Sequence, residues 1–557
     1  MTLFKREIAS INAAALLIGA AGFLSDILGL FRDRLLAGHF GASRELDIYY
    51  AAFQIPDLLF TLFLVGAATA AIIPVFLEVK EKDPDEAKRL IESLFNAFLL
   101  VSAAFCLLVI FFAPLIFKFL VPGFSPEERS LTVLMTRIMM ASPFLLSLSN
   151  IISSVIQANR RFATFALSPI CYNIGIIFGI LVFLPAFGLP GLAYGVILGA
   201  FLHLLVQIPT FMSLGFRIRP ALRMHSAIKK ILSLSVPRVL SLSMVSITVL
   251  IVNAIASTLI PGSIAVFQFA RNLESIPIGI IGVSFAVAVF PRLSGAFVKK
   301  DGNDFYESFF GTLETVIFWL APIAVLMYVL RAHIVRLALG TGRFDWSDTR
   351  LTAAVFGIFC FSVILESILP LIIKGYYALN KTSRPLIINF AASGSIVVLS
   401  FALARVFSDP SAAFPAFVAH ILKVDDVKSV GILGLALAIA IGEFIDFIFL
   451  FRFFLKEGKE TFGFVPKNGF LKETVFLIAV AVLSGFVAYG ARLFLNLFIS
   501  LDTFFGVFFQ ALGSGVAGVI VYGAILYWKK NSQLLGIIEV FRRRLLKPDV
   551  LPSELGS

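Results

Sequence analysis

Fourteen apolar runs recur along the 557 residues, and each is close to or longer than the roughly 20 residues an α-helix needs to cross the hydrocarbon core of a bilayer. They fall near residues 8–31, 47–78, 91–119, 130–156, 163–187, 190–215, 233–258, 264–291, 308–335, 351–378, 385–407, 430–454, 472–498 and 504–528. Lipid offers no partner for backbone N–H and C=O groups, so runs of this length must satisfy them internally as helices. The chain therefore reads as an all-α polytopic membrane protein with about 14 transmembrane helices. A content of 59% hydrophobic and only 14% charged residues excludes an ordinary soluble surface. The first run follows Lys5 and Arg6 without a small-residue cleavage site and reads as a retained span. Cys106, Cys171 and Cys360 lie singly in apolar segments, where neither a disulfide framework nor a zinc site is readable, and no metal site or cofactor is expected.

Loop charges orient the spans. With the N-terminus cytoplasmic, the inside loops include 79–90, 157–162, 216–232, 292–307, 379–384 and 455–471, and these hold the basic clusters: Lys80, Lys82, Lys88 and Arg89; Arg160 and Arg161; Arg217, Arg219, Arg223, Lys229 and Lys230; Lys299 and Lys300. The opposite loops near 188 and 259–263 have no Lys or Arg, and 336–350, with Arg336, Arg343 and Arg350, is the exception. An even number of spans returns the C-terminus to the cytoplasm, in agreement with the run Arg542, Arg543, Arg544, whose surroundings, IIEVFRRRLLK, suit an amphipathic helix on anionic lipid. The net charge of +12 is thus a topology signal and does not indicate nucleic acid. The loop charges thus predict a chain that crosses its membrane many times with both termini in the cytoplasm.

Repetition gives the organisation. GLPGLAYGVILG (188–199) resembles GILGLALAIAIG (431–442), QANRRFATFALSP (157–169) parallels ALNKTSRPLIINF (378–390), and Pro74 and Pro291 are placed to end the second and eighth spans. These correspondences predict two pseudo-symmetric six-helix lobes, 1–230 and 231–455, two added helices within 456–530, and a basic cytoplasmic tail, 531–557. Such duplications point to alternating access around a central site.

The stretch from Ser25 to Phe76 is where function concentrates, because it sets Asp26, Arg32, Asp33, Arg34, Asp47 and Asp57 in or beside otherwise apolar helices. An ionised group at mid-bilayer costs roughly 2.5 to 3.5 kcal/mol, so it must face a wet cavity, a counter-charge or a ligand. The block LSDILGLFRDRLLAGHFGASRELDIYYAAFQIPDLL resembles the opening of the MurJ (MviN) family of lipid II flippases, in the multidrug/oligosaccharidyl-lipid/polysaccharide exporter superfamily. The resemblance rests on Ser25, Leu28, Gly29, Arg32 and Asp33, on Phe40, Gly41 and Ala42, on Asp47, and on Ile55, Pro56, Leu58 and Leu59, with ARNLESIPIGIIGVSFAVAVFPRLS (270–294) adding Arg271. It implies a flippase that moves undecaprenyl-pyrophosphate-linked peptidoglycan precursor from the inner to the outer leaflet, with membrane lipids and cell-wall synthesis proteins as further partners. In the family the headgroup occupies a cationic cavity, and Arg suits a diphosphate because its planar fork bonds two oxygens at once. Arg32, Arg271 and Arg238 are accordingly the expected substrate-binding residues, with Asp33, Asp47 and Asp26 orienting charges or closing a gate. The family's first-helix Arg is here Asp26, its Arg-Arg pair is Phe60 and Thr61, and the acid after that pair is Val65.

Plainer readings stand beside these. Arg32, Asp33 and Arg34 could snorkel at a helix end, Asp47 could serve the dipole of a helix N-terminus, and Arg271 with Glu274 could form an i,i+3 pair. Glu366, Glu443 and Asp446 could bind a coupling cation, carry protons, or bond between helices. The five histidines are scattered and no H-E-x-x-H, P-loop or G-x-S-x-G element occurs, so no enzyme is expected. The open alternatives are a flippase for another polyprenyl-linked oligosaccharide, a drug/cation antiporter of the same superfamily and, further off, a membrane glycosyltransferase or a scaffold; 408–429 reads as an amphipathic connector.

Overall fold

The computed structural model describes residues 11–64, 72–217, 225–409, 412–427, 429–463 and 469–546, and every regular element among them is helical. In chain order the helices are α1 (Ile11–Phe40), α2 (Arg44–Leu64), α3 (Ile73–Lys82), α4 (Pro84–Leu120), α5 (Pro126–Ala158), α6 (Phe162–Phe187), α7 (Pro190–Ser213), α8 (Ala227–Ser257), α9 (Ser263–Val298), α10 (Gly302–Val329), α11 (Arg331–Leu339), α12 (Trp346–Ala378), α13 (Ser383–Phe407), α14 (Ala413–Leu422), α15 (Gly431–Phe462), α16 (Gly469–Leu495), α17 (Phe504–Trp528) and α18 (Ser532–Leu546). Eleven of them are long and apolar enough to cross a membrane by length and composition. Over their described residues, the fourteen predicted runs fall on helical backbone apart from short turns, as at 206–207, 214–215 and 496–498. The chain folds as two units, one of Met1–Asn272, Ala338–Val355 and Leu386–Gly442 and a second of Leu273–Leu337, Phe356–Pro385 and Glu443–Ser557.

Several boundaries differ from expectation: α4 begins at Pro84, α8 at Ala227 and α12 at Trp346, α15 runs to Phe462, and Pro74 lies in the first turn of α3 instead of ending a span. The first span continues past residue 31 to Phe40, because Leu36 and Ala37 are fully buried and keep the helix packed through its charged turn. Arg32 and Asp33 therefore sit inside a helix and not at its end. Likewise Pro291 does not stop α9, which runs on to Val298. The connector 408–429 contains α14, which buries Pro415, Ala419 and Leu422 and exposes Phe414, Phe417 and Ile421, the two-faced pattern of an interfacial helix.

Helix starts follow local chemistry. Asp83 caps α4 by accepting from the Asp85 N–H, with Pro84 in the first turn, and Ser125 and Glu128 form a reciprocal capping box on α5. Interior prolines are handled by tertiary partners. A proline cannot donate to the carbonyl four residues earlier, and in lipid that orphan must find another donor. Pro56 frees the Ala52 carbonyl, which accepts from Thr136 Oγ1 of α5 at 3.1 Å. Pro114 frees that of Ile110, which accepts from Arg137 Nε at 2.9 Å. Pro322 frees that of Phe318, which accepts from Tyr522 Oη of α17 at 2.9 Å. The prolines thus act as addresses at which one helix recognises another.

In the first unit α6 and α7 meet backbone to backbone: a Cβ built on Gly175 would collide with Gly199, and one on Gly195 would stand 2.6 Å from the α-carbon of Gly179. Small residues four apart permit such an approach where water supplies no hydrophobic drive. The repeat partner of this motif behaves alike, since Gly434 faces the Leu403 carbonyl and Gly442 faces Ile396, both on α13. The second unit is held by rings: Phe309 and Phe454 have centroids 4.4 Å apart, with Phe305, Phe462 and Tyr376 around them.

The proline pairing makes a stability prediction. Tyr522→Phe is expected to destabilise the protein by about 1–2 kcal/mol by stranding the Phe318 carbonyl. Adding Pro322→Ala, which returns a backbone donor to that carbonyl, should recover most of the loss, as read from thermal unfolding of the purified protein in detergent. Equal unfolding midpoints for the single and double variants would refute the pairing.

Candidate functional site

In the first unit, polar side chains that recur at helical spacing on apolar helices converge. On α2 the stripe is Tyr50, Phe53, Gln54 and Asp57, on α8 it is Ser246, Val249, Leu250 and Asn253, and on α9 it is Gln268 and Asn272; these line a cavity of about 290 Å³ together with Arg32 of α1. A neighbouring cavity of about 310 Å³ is lined by Phe60, Ser142, Tyr172 and His203 among others. Arg32, Phe53 and Asp57 belong to the walls of both.

Arg32 is held by a fixed network. Its Nε and Nη2 donate to Asp33 Oδ1 at 3.0 and 2.9 Å, and Nη1 donates to Asn173 Oδ1 of α6 at 3.4 Å. Asn173 Nδ2 in turn donates to Ser25 Oγ at 3.1 Å, one face of α1 carrying both Ser25 and Arg32. Asp33 is 3% exposed, and its second oxygen accepts from Asn272 Nδ2 of α9 at 2.7 Å, while Gln268 Nε2 donates to Asn272 Oδ1 at 2.8 Å. An ion pair and three amides therefore tie α1, α6 and α9 around the cavity, and every carboxylate oxygen of Asp33 has a donor.

His203 on the second cavity is fixed from behind. Its Nδ1 lies 2.8 Å from Ser149 Oγ, which accepts from Gln207 Nε2, and Ser153 Oγ donates to Gln207 Oε1, both at 2.8 Å. This chain of small polar groups orients the ring and is closed on itself.

The other expected site residues take separate places. Asp47 is fully buried and lines neither cavity; its oxygens accept from the backbone N–H groups of Gly262 at 2.7 Å and Ala265 at 2.9 Å, at the N-terminus of α9, with Arg44 Nη1 at 3.5 Å. The dipole of that helix end favours the carboxylate. Asp26 is exposed on α1 near the outward-facing Phe23 and Ile27. Arg271 is half-buried on α9, where its neighbours Gln268 and Asn272 supply the cavity wall. Arg238 lies on α8 with its side chain outside the described part of the structure, and Val65 lies outside the described residues altogether. Arg34 faces elsewhere, Nη1 donating to the Ala338 carbonyl at 3.4 Å.

Sequence reasoning named Asp57 among the charges of 25–76 without giving it a role, and did not single out Gln54, Asn272, Asn173 or His203 as site residues. The available signal was spacing: Gln54 and Asp57, like Ser246 and Asn253, are polar positions repeated on one face of an apolar helix. In the second unit Glu274, Glu366 and Glu443, from α9, α12 and α15, bring carboxylate oxygens within 4.8 Å of one another, and Ser362 Oγ donates to Glu274 Oε1 at 2.9 Å. Like charges so close are compatible with burial when a shared proton or a cation offsets them.

Similarity to known proteins gives this geometry its context. Residues 36–509 match the family model described as lipid II flippase MurJ. The chain belongs to the MurJ family. It is 27% identical over 497 residues to the lipid II flippase MurJ of Burkholderia cenocepacia, covering 86% of this chain and 90% of that protein. It is 25% identical over 556 residues to the probable lipid II flippase MurJ of Rhizobium tropici, covering 96% and 97%. Among solved structures, the fold is similar to that of a lipid II flippase MurJ in an inward closed conformation, with a TM-score of 0.71 and 24% identity over 96% of this chain and all of that one. A multidrug resistance MATE family transporter of the MOP superfamily shares it at a TM-score of 0.63 and 14% identity, covering 79% and 96%. Phe60 stands in the wall of the second cavity.

Asp47 offers a test of position. Asp47→Ala removes the acceptor of two buried N–H groups and is expected to cost about 2–4 kcal/mol of stability, with Asp47→Asn, which keeps one acceptor oxygen, costing about half. Unfolding of detergent-solubilised variants measures both, and a loss under about 0.5 kcal/mol for Asp47→Ala would contradict the clamp.

Proposed function

We propose that the chain is a lipid II flippase that moves the undecaprenyl-pyrophosphate-linked headgroup from the inner to the outer leaflet of the bacterial inner membrane. The observation that carries this reading is the match to the family over 36–509 combined with a polar cavity whose wall holds one oriented guanidinium. Arg32 is the first diphosphate ligand, with Arg271 and Arg238 as further cations; Asp33 orients Arg32, and Asp47 and Asp26 act at the gate. Two six-helix lobes, 1–230 and 231–455, alternate access, the helices of 456–530 accompany the lipid tail, and the basic tail 531–557 lies on the cytoplasmic face with the N-terminus. The protein performs no chemistry on its cargo and hands it to cell-wall synthesis proteins outside. An inside-negative potential assists outward movement of a polyanionic headgroup by about 2.3 kcal/mol per charge per 100 mV.

A second reading, transport of another polyprenyl-linked oligosaccharide, draws on Phe60 and Asp26 at positions where the family carries cations. One experiment separates them. Cells depleted of their own lipid II flippase are expected to grow when given this chain, and Arg32→Ala is expected to lower leaflet transfer in proteoliposomes at least roughly tenfold, with Arg32→Lys intermediate because an ammonium lacks the bidentate fork. Failure to complement by well-expressed protein would favour the second reading; undiminished transfer by Arg32→Ala would remove Arg32 from the binding role.

A further inference from the structure

The chamber holds one charge that its own walls leave unbalanced. Asp57 is exposed on the walls of both cavities, and no ion pair to it is present among the described residues. The guanidinium of Arg32 on the same walls bonds Asp33 through Nε and Nη2 and Asn173 through Nη1, and no bond from it to Asp57 is present among the described residues. Around the first cavity stand further polar groups with no hydrogen-bond partner among the described residues: the acceptor Asn253 Oδ1 on a side chain only 3% exposed, both amide atoms of Gln54, and Tyr50 Oη. A buried acceptor left open forfeits its hydration with nothing in exchange, so a wall that collects a carboxylate and two amide oxygens is built for a donor that arrives with the cargo.

The fitting donor is a compact cation rich in N–H groups. A primary ammonium has three, matching the carboxylate of Asp57 and the amide oxygens of Asn253 and Gln54, and it accepts nothing in return. A volume of about 290 Å³ admits an aminoalkyl arm but not a whole glycopeptide headgroup. We infer that Asp57, with Gln54 and Asn253, docks a primary ammonium group of the transported headgroup, so that the preferred substrates are polyprenyl-diphosphate glycopeptides whose peptide carries a free amine. The inference rests on the flippase reading above and narrows it: Arg32 takes the anionic end of the cargo and Asp57 reads its cationic arm. Loss of a charge-assisted hydrogen bond of this kind corresponds to at least roughly a tenfold change in rate.

The test uses full-length protein in proteoliposomes and two preparations of lipid II that differ only in the peptide side-chain amine, free or N-acetylated. The free amine is expected to be flipped at least about ten times faster at subsaturating concentration. In Asp57→Asn that ratio should fall to about one, and Asp57→Glu should restore part of it. A wild-type ratio near one, or a ratio that survives in Asp57→Asn, overturns the proposal while leaving the flippase reading intact. Equal slowing of both substrates by Asp57→Asn also overturns it and assigns the carboxylate to a free cation. Transfer of neither substrate by the wild-type protein defeats the flippase reading itself and the proposal with it. Because the wild-type comparison decides without any variant, a misfolded Asp57→Asn protein does not shield the idea.

Discussion

The ion pair of Arg32 with Asp33 and the amides that complete it are the feature to which the rest of the site is subordinate. A guanidinium and a carboxylate taken out of water lose hydration that their mutual attraction repays only when geometry is good and the remaining donors and acceptors are filled. Here the filling comes from three helices: Asn173 of α6 on the cation, Asn272 of α9 on the anion, and Ser25 of α1 behind Asn173. Removing any one member strands another in a low-dielectric interior. The network therefore fixes where α1, α6 and α9 cross, and so places the stripes of α2 and α8 around a shared space.

The same pressure, to pair polar groups that lipid cannot hydrate, organises the scaffold at a distance from the site. Interior prolines would be defects in an isolated helix. Here the carbonyls they release at Ala52, Ile110 and Phe318 are taken by Thr136, Arg137 and Tyr522. Where no polar bond is available, glycine brings backbones together instead, as between α6 and α7. Register between helices is thus set by a few discrete contacts, and the many lipid-facing Phe and Leu side chains, such as Phe111 at 76% exposure, need only be apolar.

That division between spans and partners decides which parts of the protein were legible in its sequence. Every span was readable because crossing hydrocarbon demands length and apolarity, which are properties of a single segment. The charged turn of α1 was readable because ions in such a segment are costly. What stayed hidden was partnership: nothing local says that Asn272 meets Asp33, or that Asp47 clamps the start of α9. The end of α1 was misplaced for a related reason, since the charges at 32–34 look like a helix terminus until their partners on other helices are known. Asp57 and Asn253 fell between the two cases, being visible as polar residues but becoming a site only when α2 and α8 are set face to face.

The fixed geometry of Arg32 does not disable it as a ligand, because a guanidinium carries five N–H groups in one plane. Its bonds to Asp33 and Asn173 use Nε, one N–H of Nη2 and one of Nη1, the last at a long 3.4 Å, so two donors of the fork remain for an incoming oxygen. Asp33 thereby serves as a rigid mount and not as a competitor, and the cation meets cargo without first breaking a bond. Asp33 also holds Asn272 of α9, so anything that pulls on Arg32 is felt by α9 through a 2.7 Å hydrogen bond. A ligand moves a conformational equilibrium only by the difference in its affinity for the two states. A mount shared between the binding cation and a neighbouring helix is a place where such a difference can arise.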